Sequence, residues 1–221
     1  MTGTEIFKRI DHTLLKAAAS WNEIKILCDE AVMYKTASVC IPPCYVKPVF
    51  DAYGNDLVIC TVIGFPLGYT FDSVKFHETS RALNDGAREI DMVINIGDIK
   101  NGNYDATLNE IKNIKNICEK NILKVIIETC FLSEEEKIRL CGVVTEAGAD
   151  FIKTSTGFGS AGAVIDDVKL FRQHIGAGVK IKAAGGIKTR EDLEAFISVG
   201  ADRIGTSSAV KLLAGGNAEG Y

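Results

Sequence analysis

The sequence predicts an α/β fold, a (β/α)8 TIM barrel that forms a single domain over residues 1–221. Eight short β-rich runs alternate with amphipathic stretches, and most of these runs are continuously apolar, as in parallel strands covered by helices. Three helix-to-strand turns repeat one Gly-Ala step. A doubly wound sheet is the second choice, because no strand is followed by G-x-G-x-x-G.

The predicted strands are rich in branched apolar residues and end at polar or glycine-containing turns. The first of them carries the weakest signal. They cover residues 10–14, 37–41, 57–64, 89–94, 123–129, 150–154, 179–183 and 203–206.

Helices are predicted between the strands, where apolar residues recur at helical spacing. Ser20 is the expected N-cap of the first of them, and Ser133 with Glu136 forms a capping-box pattern. Thr189 and Asp192 give a weaker form of the same pattern. The five predicted helices cover residues 21–34, 73–84, 104–120, 133–146 and 189–198.

The Gly-Ala steps lie at 86–87, 148–149 and 200–201, each just before a predicted strand. Glycine is expected to end the helix and alanine to pack closely against it. This repetition favours an eightfold α/β repeat, although about 250 residues is the usual length of such a barrel.

Composition narrows the possible partners. The net charge is −4, and no cluster of lysine and arginine resembles a nucleic-acid footprint. There is no apolar run of about 18 residues and residues 1–11 lack a signal-peptide core, so we expect a cytoplasmic chain with no membrane partner. A small anionic substrate is compatible with these features, because a few cations and backbone amides can hold one phosphate.

Metal and cofactor sites are not expected. The seven cysteines are scattered, and Cys40 and Cys44 are too far apart for C-x-x-C, so reduced thiols packed in the core are predicted. The three histidines form no H-x-x-x-H pair, and neither a Walker loop nor a G-x-S-x-G elbow occurs.

Two lysines are candidates for amine chemistry. Lys153 lies in the sixth predicted strand just before a polar turn, and Lys182 lies in the seventh. Adjacent parallel strands are about 4.8 Å apart, so the two side chains are expected to be neighbours, each disfavouring the other's protonation. A lysine whose head reaches solvent is the alternative for Lys153. Lys124 and Lys180 fall near strand beginnings and are expected to be structural.

Asp91 is a carboxylate inside the apolar run 89–94 and therefore needs a partner. A structural ion pair and proton transfer beside the lysines are equally compatible with this position.

A phosphate cradle is predicted after the seventh and eighth strands, where barrel enzymes often bind phosphate. Glycines there allow close backbone approach, serines donate hydrogen bonds and a lysine supplies charge. The candidate residues are Gly185, Gly186, Lys188, Gly205, Ser207 and Ser208.

Together these motifs resemble the deoxyribose-phosphate aldolases. Phe-Ile-Lys-Thr-Ser-Thr-Gly and the Lys-x-Ala-Gly-Gly run are the most specific of the shared motifs. The similar stretches span nearly the whole chain, at residues 11–15, 38–43, 61–68, 89–95, 124–129, 151–157 and 182–189.

The resemblance implies reversible cleavage of 2-deoxy-D-ribose 5-phosphate to acetaldehyde and D-glyceraldehyde 3-phosphate, a step of deoxyribonucleoside catabolism, without a cofactor. It makes Lys153 the Schiff-base residue, Lys182 the activating lysine, Asp91 the proton donor and acceptor, and Tyr221 a candidate proton shuttle. A disordered terminal residue is an equal alternative for Tyr221. The loops of the phosphate cradle, with Thr156 and Gly157, become the substrate-binding residues.

Two departures from the family pattern concern phosphate. Phe158 stands where one branch of the family has a lysine, and Lys188 replaces an arginine of some members, exchanging a bidentate fork for a point charge.

Another lysine-dependent barrel, such as a transaldolase or keto-acid aldolase, is an alternative enzyme. A non-catalytic sugar-phosphate-binding barrel is the alternative outside catalysis, and a homodimer is the default assembly.

Overall fold

The computed structural model describes residues 1–213, and in it eight parallel strands close into a barrel in sequence order. The predicted (β/α)8 barrel is therefore confirmed, with each predicted strand present to within a few residues. The strands are β1 (Ile10–Thr13), β2 (Ser38–Ile41), β3 (Ile59–Ile63), β4 (Glu89–Val93), β5 (Ile122–Ile126), β6 (Phe151–Lys153), β7 (Lys180–Ala184) and β8 (Arg203–Thr206).

Helices connect the strands and surround the barrel. Within the described range none is both long and apolar enough to span a membrane. They are α1 (Gly3–Phe7), α2 (Trp21–Tyr34), α3 (Val46–Tyr53), α4 (Asp72–Asn84), α5 (Ile96–Lys100), α6 (Tyr104–Cys118), α7 (Glu134–Glu146), α8 (Ile165–His174), α9 (Arg190–Ser198) and α10 (Ala209–Leu213).

All five predicted helices are present, and the predicted caps form. The Ser133 side chain accepts from the backbone N–H of Glu136, whose carboxylate returns to Ser133, and Thr189 pairs with Asp192 in the same way. Within the described residues the sequence interpretation missed five helices, namely the short α1, α5 and α10 and the longer α3 and α8. Pro48 interrupts the helical signal of α3, and α8 begins after Val164, which offers no side-chain cap.

The Gly-Ala turns take the predicted form. Gly86, Gly148 and Gly200 have φ values of 115°, 73° and 113°, a region that side chains other than glycine rarely adopt. At Gly86 a Cβ would also lie 2.4 Å from the ring of Phe50 on α3. These glycines therefore supply the backbone conformation that ends each helix before the next strand.

Strand alternation separates two environments. On β4, Ile90 and Met92 are fully buried in the apolar layer between strands and helices, whereas Glu89 and Asp91 point into the barrel. The seven cysteines are free thiols, five of them buried, and Cys44 is exposed. Apolar packing between strands and helices thus stabilises the barrel, and charged side chains such as Glu89 and Asp91 occupy the barrel interior.

A buried ion pair lies outside the barrel between α4 and α6. Lys75 Nζ is 2.6 Å from Glu110 Oε1 and donates to the Val93 carbonyl at 2.9 Å. Gly64 lies over the lysine stem, where a Cβ would be 2.7 Å from Lys75 Cε. Burial raises the pKa of Glu110 to about 7, against the opposing effect of Lys75.

Replacing Lys75 with methionine is expected to lower the free energy of unfolding by about 3–5 kcal/mol, because Glu110 is left buried without its cation. The loss should be larger at about pH 8 than at about pH 5, since Glu110 escapes the penalty by binding a proton in acid. Denaturant unfolding at both pH values measures this. Lys112→Met, at the exposed pair with Glu146, is the control and should cost less than about 1 kcal/mol. Equal losses from the two variants would contradict the assignment.

Candidate functional site

The interior of the barrel holds a cluster of charged side chains from six strands. Each comes from an inward-facing strand position. All are almost completely buried except Arg203, which is partly buried. The members of this charge cluster are Asp11 (β1), Glu89 and Asp91 (β4), Lys124 (β5), Lys153 (β6), Lys182 (β7) and Arg203 (β8).

Asp91 is the meeting point of the lysines. Lys153 Nζ and Lys182 Nζ both donate to Asp91 Oδ2 at 2.7 Å, and Lys124 Nζ donates to Asp91 Oδ1 at 3.0 Å. Lys153 and Lys182 are register partners on β6 and β7, which brings both amines to one carboxylate oxygen. The predicted proximity of the two lysines is therefore confirmed, as is a partner for Asp91.

A second set of ion pairs supports the first. Lys182 Nζ is 2.5 Å from Asp11 Oδ2, and Lys124 also pairs with Glu89. Arg203 spans both acids, contacting Asp11 and lying 2.7 Å from Glu89 Oε1. Each carboxylate thus faces at least two cations, which offsets the cost of burying it.

These contacts fix the charges of the cluster. Burial alone would raise the pKa of Asp91, but the charges of Lys124 and Lys182 and the hydrogen bond from Lys153 outweigh burial and hold that pKa well below its usual range. Burial acts to lower the pKa of Lys182, yet Asp11 and Asp91 outweigh burial and raise it. The same balance raises the pKa of Lys124. Asp91 is consequently an anion, and Lys124 and Lys182 are cations.

Thiols from β2 and β3 complete the lining around Asp91. The Cys60 thiol donates to Asp91 Oδ1 at 3.1 Å, and burial raises the pKa of that thiol. Within residues 1–213, possible metal-ligand atoms of Cys40, Cys60 and Asp91 lie within 4.8 Å of one another. A cation there would compete with the lysine ammonium groups that already occupy the carboxylate of Asp91.

A cavity of about 360 Å³ opens at the carboxyl ends of β6, β7 and β8. Gly157, Gly185 and Gly186 have positive φ values of 89°, 81° and 74°, and a Cβ at Gly162 would lie 2.3 Å from the carbonyl carbon of Gly185. The walls of this cavity are therefore formed largely by glycine backbone, and the Gly162 and Gly185 segments pack too closely for a side chain at Gly162. Its lining residues are Gly157, Gly159, Ser160, Ala161, Gly162, Gly185, Gly186, Ile187, Lys188, Gly205, Thr206, Ser207 and Ser208.

The cavity adjoins the charge cluster through Gly205. A Cβ at this position would lie 3.1 Å from Lys182 Cε, so the glycine of β8 leaves room for the lysine chain. The loop predicted to bind phosphate after β8 thus begins beside Lys182, one of the two lysines predicted to do the chemistry.

Thr156 occupies a different place from the other predicted binding residues. It is buried and does not line the cavity, and its backbone N–H donates to Glu128 Oε1 at 3.1 Å. Its hydroxyl donates to the same carboxylate and accepts from the Phe158 N–H at 3.0 Å. Phe158 itself stacks edge-on against Phe65, with ring centroids 5.3 Å apart.

Several site residues escaped the sequence interpretation. Lys124 was expected to be structural and near a strand beginning, but it is the third residue of β5 and its ammonium reaches Asp91. Asp11 and Glu128 carried no signal beyond membership of family-like stretches. The run 159–162, rich in glycine and alanine after Lys153, was a usable signal for a close-approach loop. Tyr221 lies outside the described residues.

Comparisons with known proteins agree with this geometry. Residues 6–217 match the model of the family described as DeoC/LacD family aldolase. A deoxyribose-phosphate aldolase of Clostridium botulinum (strain Alaska E43 / Type E3) is 58% identical over 221 residues, 100% of both chains.

Solved structures extend the similarity. A putative deoxyribose-phosphate aldolase from Coccidioides immitis is 36% identical with a TM-score of 0.93, over 97% of this chain and 86% of that one. Deoxyribose phosphate aldolase from Aeropyrum pernix, whose structure is described as a unique tetramer, is 31% identical with a TM-score of 0.90, over 96% and 91% of the two chains. The lysine cluster around Asp91 and the glycine-walled cavity beside it suit an aldolase. Because the family match covers nearly the whole chain, this chain belongs to the DeoC/LacD aldolase family.

Proposed function

We propose that this chain is a deoxyribose-phosphate aldolase, which reversibly cleaves 2-deoxy-D-ribose 5-phosphate to acetaldehyde and D-glyceraldehyde 3-phosphate through a lysine Schiff base. The observation that carries the proposal is the sharing of Asp91 Oδ2 by the Lys153 and Lys182 amines, beside the glycine-walled cavity. The names of full-length relatives at 54–58% identity support the choice of substrate.

Charge balance supports Lys153 as the nucleophile. Without Lys153, the charge cluster contains three carboxylates and three cations, so an uncharged Lys153 leaves the buried group electrically neutral. Lys182, which keeps its charge, is the activating cation for its neighbour.

The reaction follows from these roles. The Lys153 amine attacks the C1 aldehyde of the open-chain sugar and loses water to give a protonated imine. A base removes the proton of the C3 hydroxyl, the C2–C3 bond breaks, and its electron pair moves into the imine to give an enamine and D-glyceraldehyde 3-phosphate. Protonation at C2 and addition of water then release acetaldehyde and the free amine. The iminium group supplies the polarisation that a zinc ion supplies in metal-dependent aldolases.

Asp91 takes part in proton transfer under a constraint. Because its pKa is held well below its usual range, a proton does not rest on Asp91 and must be passed on, directly or through water. The same negative charge stabilises the cationic imine on Lys153. Tyr221 is proposed as a further proton shuttle.

The phosphate is assigned to the cavity. Backbone N–H groups of Gly185 and Gly186, the charge of Lys188 and the hydroxyls of Ser207 and Ser208 are the proposed ligands. We further propose a cytoplasmic homo-oligomer, a dimer by default.

Borohydride trapping tests the function. Incubation with deoxyribose 5-phosphate and borohydride should attach a substrate-derived group to Lys153, and peptide mapping identifies the site. Without borohydride, the products should be acetaldehyde and glyceraldehyde 3-phosphate, and a metal chelator should leave the rate unchanged. Strict dependence on a ketose or pyruvate would instead indicate a transaldolase or keto-acid aldolase. Binding of the sugar phosphate without covalent mass would indicate a non-catalytic barrel.

A further inference from the structure

Glu128 is a buried carboxylate at the carboxyl end of β5 that the reaction sequence above does not use. Its exposed fraction is 2%, and its backbone has φ 52° and ψ 70°, the left-handed region that a non-glycine residue adopts at a cost. The backbone on either side is fixed, because Thr129 N–H donates to the Thr154 carbonyl at 3.0 Å and Phe131 N–H donates to the Glu128 carbonyl at 3.1 Å. The conformation therefore aims the side chain at the loop that follows β6.

The Glu128 carboxylate binds that loop with both oxygens. Thr156 N–H lies 3.1 Å from Oε1 and 3.2 Å from Oε2, and the Thr156 hydroxyl also donates to Oε2. The same hydroxyl accepts from Phe158 N–H at 3.0 Å. A continuous chain of hydrogen bonds thus runs from Phe158 through Thr156 to Glu128. These bonds hold Thr156 and Phe158, and Gly157 lies between those two residues.

The loop held in this way is one wall of the cavity. Gly157 and Gly159 both line it. Gly159 packs directly on the carboxylate, since a Cβ there would lie 3.2 Å from Glu128 Oε1 and 2.8 Å from Cys130 Sγ. The opposite wall lies close to the first, since a Cβ at Gly185 would lie 3.5 Å from the Gly157 Cα.

We infer that Glu128 is a positioning residue for phosphate recognition: by holding Thr156, it places the 157–159 backbone against the loops after β7 and β8 so that one phosphate fits between them. The inference rests on the proposed function and adds a specificity determinant to it. Glu128 lies behind the cavity wall and does not touch the phosphate in this assignment. Its effect should consequently appear in the binding of phosphorylated substrate and not in the chemistry at Lys153.

A carboxylate offers the Thr156 N–H and hydroxyl two acceptor oxygens. A glutamine in its place keeps the size but offers one acceptor oxygen, and its amide group would face donors of Thr156. Hydrogen bonds to charged acceptors are stronger than those to neutral ones, so the change is expected to loosen the loop without removing the side chain from the core.

Steady-state kinetics of Glu128→Gln with 2-deoxy-D-ribose 5-phosphate and with unphosphorylated 2-deoxy-D-ribose tests the inference. The KM of the phosphorylated sugar should rise about tenfold, whereas kcat/KM of the unphosphorylated sugar should change less than about twofold. Inorganic phosphate should inhibit the variant about tenfold more weakly. A merely structural role would lower kcat/KM of both sugars alike and would overturn the inference.

Matched variants separate this inference from the proposed function. Glu78→Gln is the control, because Glu78 Oε2 accepts from Gly64 N–H at 2.8 Å and braces a different loop at the same end of the barrel. It should leave the preference for phosphorylated sugar unchanged. Ser207→Ala removes a hydroxyl from the cavity and should weaken that preference directly. If Ser207→Ala does so and Glu128→Gln does not, the phosphate site stands and the role of Glu128 is wrong.

A second variant covers the case in which Glu128→Gln does not fold. Gly159→Ala adds one methyl group against Glu128 and Cys130 at a position whose φ is not in the left-handed region. It should move the same loop and raise the KM of phosphorylated sugar selectively. Equal losses on both sugars would overturn the inference here too. Absence of any turnover of either sugar by the unsubstituted protein would instead contradict the proposed function.

Discussion

Lys153→Met is expected to lower turnover of deoxyribose 5-phosphate by a factor on the order of 10⁵, because the variant has no amine with which to form the imine. Methionine is close to lysine in length and suits a position that is only 2% exposed. The barrel should therefore stay folded. Acetaldehyde release measures the rate, and borohydride trapping should add no mass to the variant.

Lys180→Met is the matched control for that experiment. Lys180 is the first residue of β7, two positions before Lys182, and its side chain is exposed. Its replacement should change turnover less than about twofold, as is usual for surface substitutions away from the site. Continued trapping of substrate in Lys153→Met, with the label on Lys182, would contradict the assignment of Lys153 as the nucleophile.

Stability distinguishes Lys153 from its neighbours. If the charge cluster is neutral when Lys153 is uncharged, Lys153→Met leaves the remaining charges balanced. Lys124→Met, in contrast, leaves Glu89 and Asp91 short of a cation and is expected to cost about 3–5 kcal/mol. Equal losses of unfolding free energy in the two variants would argue that Lys153 carries a charge in the resting protein.

The strand order and the lysine pair could be predicted because they depend on short-range rules. Apolar runs separated by helices give a parallel sheet in sequence order. Lys153 and Lys182 occupy similar positions in neighbouring strands, so the pairing of those strands brings them into register. The three Gly-Ala turns carried equally local information, since glycine alone suits their positive φ. These features do not require knowledge of how the barrel is staggered.

The rest of the charge cluster depends on that stagger. Asp91 is the register partner of Lys124, and the reach of the lysine chain lets it contact Glu89 as well. No periodicity in the sequence sets this vertical position, so Lys124 was assigned to the wrong level of the barrel. Asp11 was missed for the same reason, since its contact with Lys182 joins strands far apart in the chain.

No sequence signal predicted that Glu128 binds the loop after β6 through Thr156. Positive φ is predicted from glycine or asparagine, whereas the residue that adopts it here is Glu128. Thr156 was expected to bind substrate because of the family resemblance, but its N–H and hydroxyl groups donate to Glu128. Local pattern cannot show which donors tertiary structure has already satisfied.

Asp91→Asn is expected to reduce both activity and stability, because one carboxylate supports three lysines. The amide preserves shape but removes the negative charge, leaving Lys124 and Lys182 with less compensation, at a cost of about 3–5 kcal/mol. Turnover should fall by a factor on the order of 10³, within the range of lost acid–base catalysis and imine stabilisation. Borohydride trapping of acetaldehyde on Lys153 separates a defect in imine formation from one in the later proton transfers.

The pH dependence of that stability loss tests the charge itself. The pKa of Asp91 is held below its unfolded value of about 3.9, so the stabilisation is present in full above that value and is lost as pH falls through the folded pKa. The difference in unfolding free energy between the two proteins should thus be constant above about pH 5 and shrink only in stronger acid. Asp51→Asn, which removes an exposed partner of Lys47, should show a loss below about 1 kcal/mol throughout. A difference that disappears near neutral pH would mean that Asp91 is protonated in the folded barrel, and the lysines would then lack the anion that organises them.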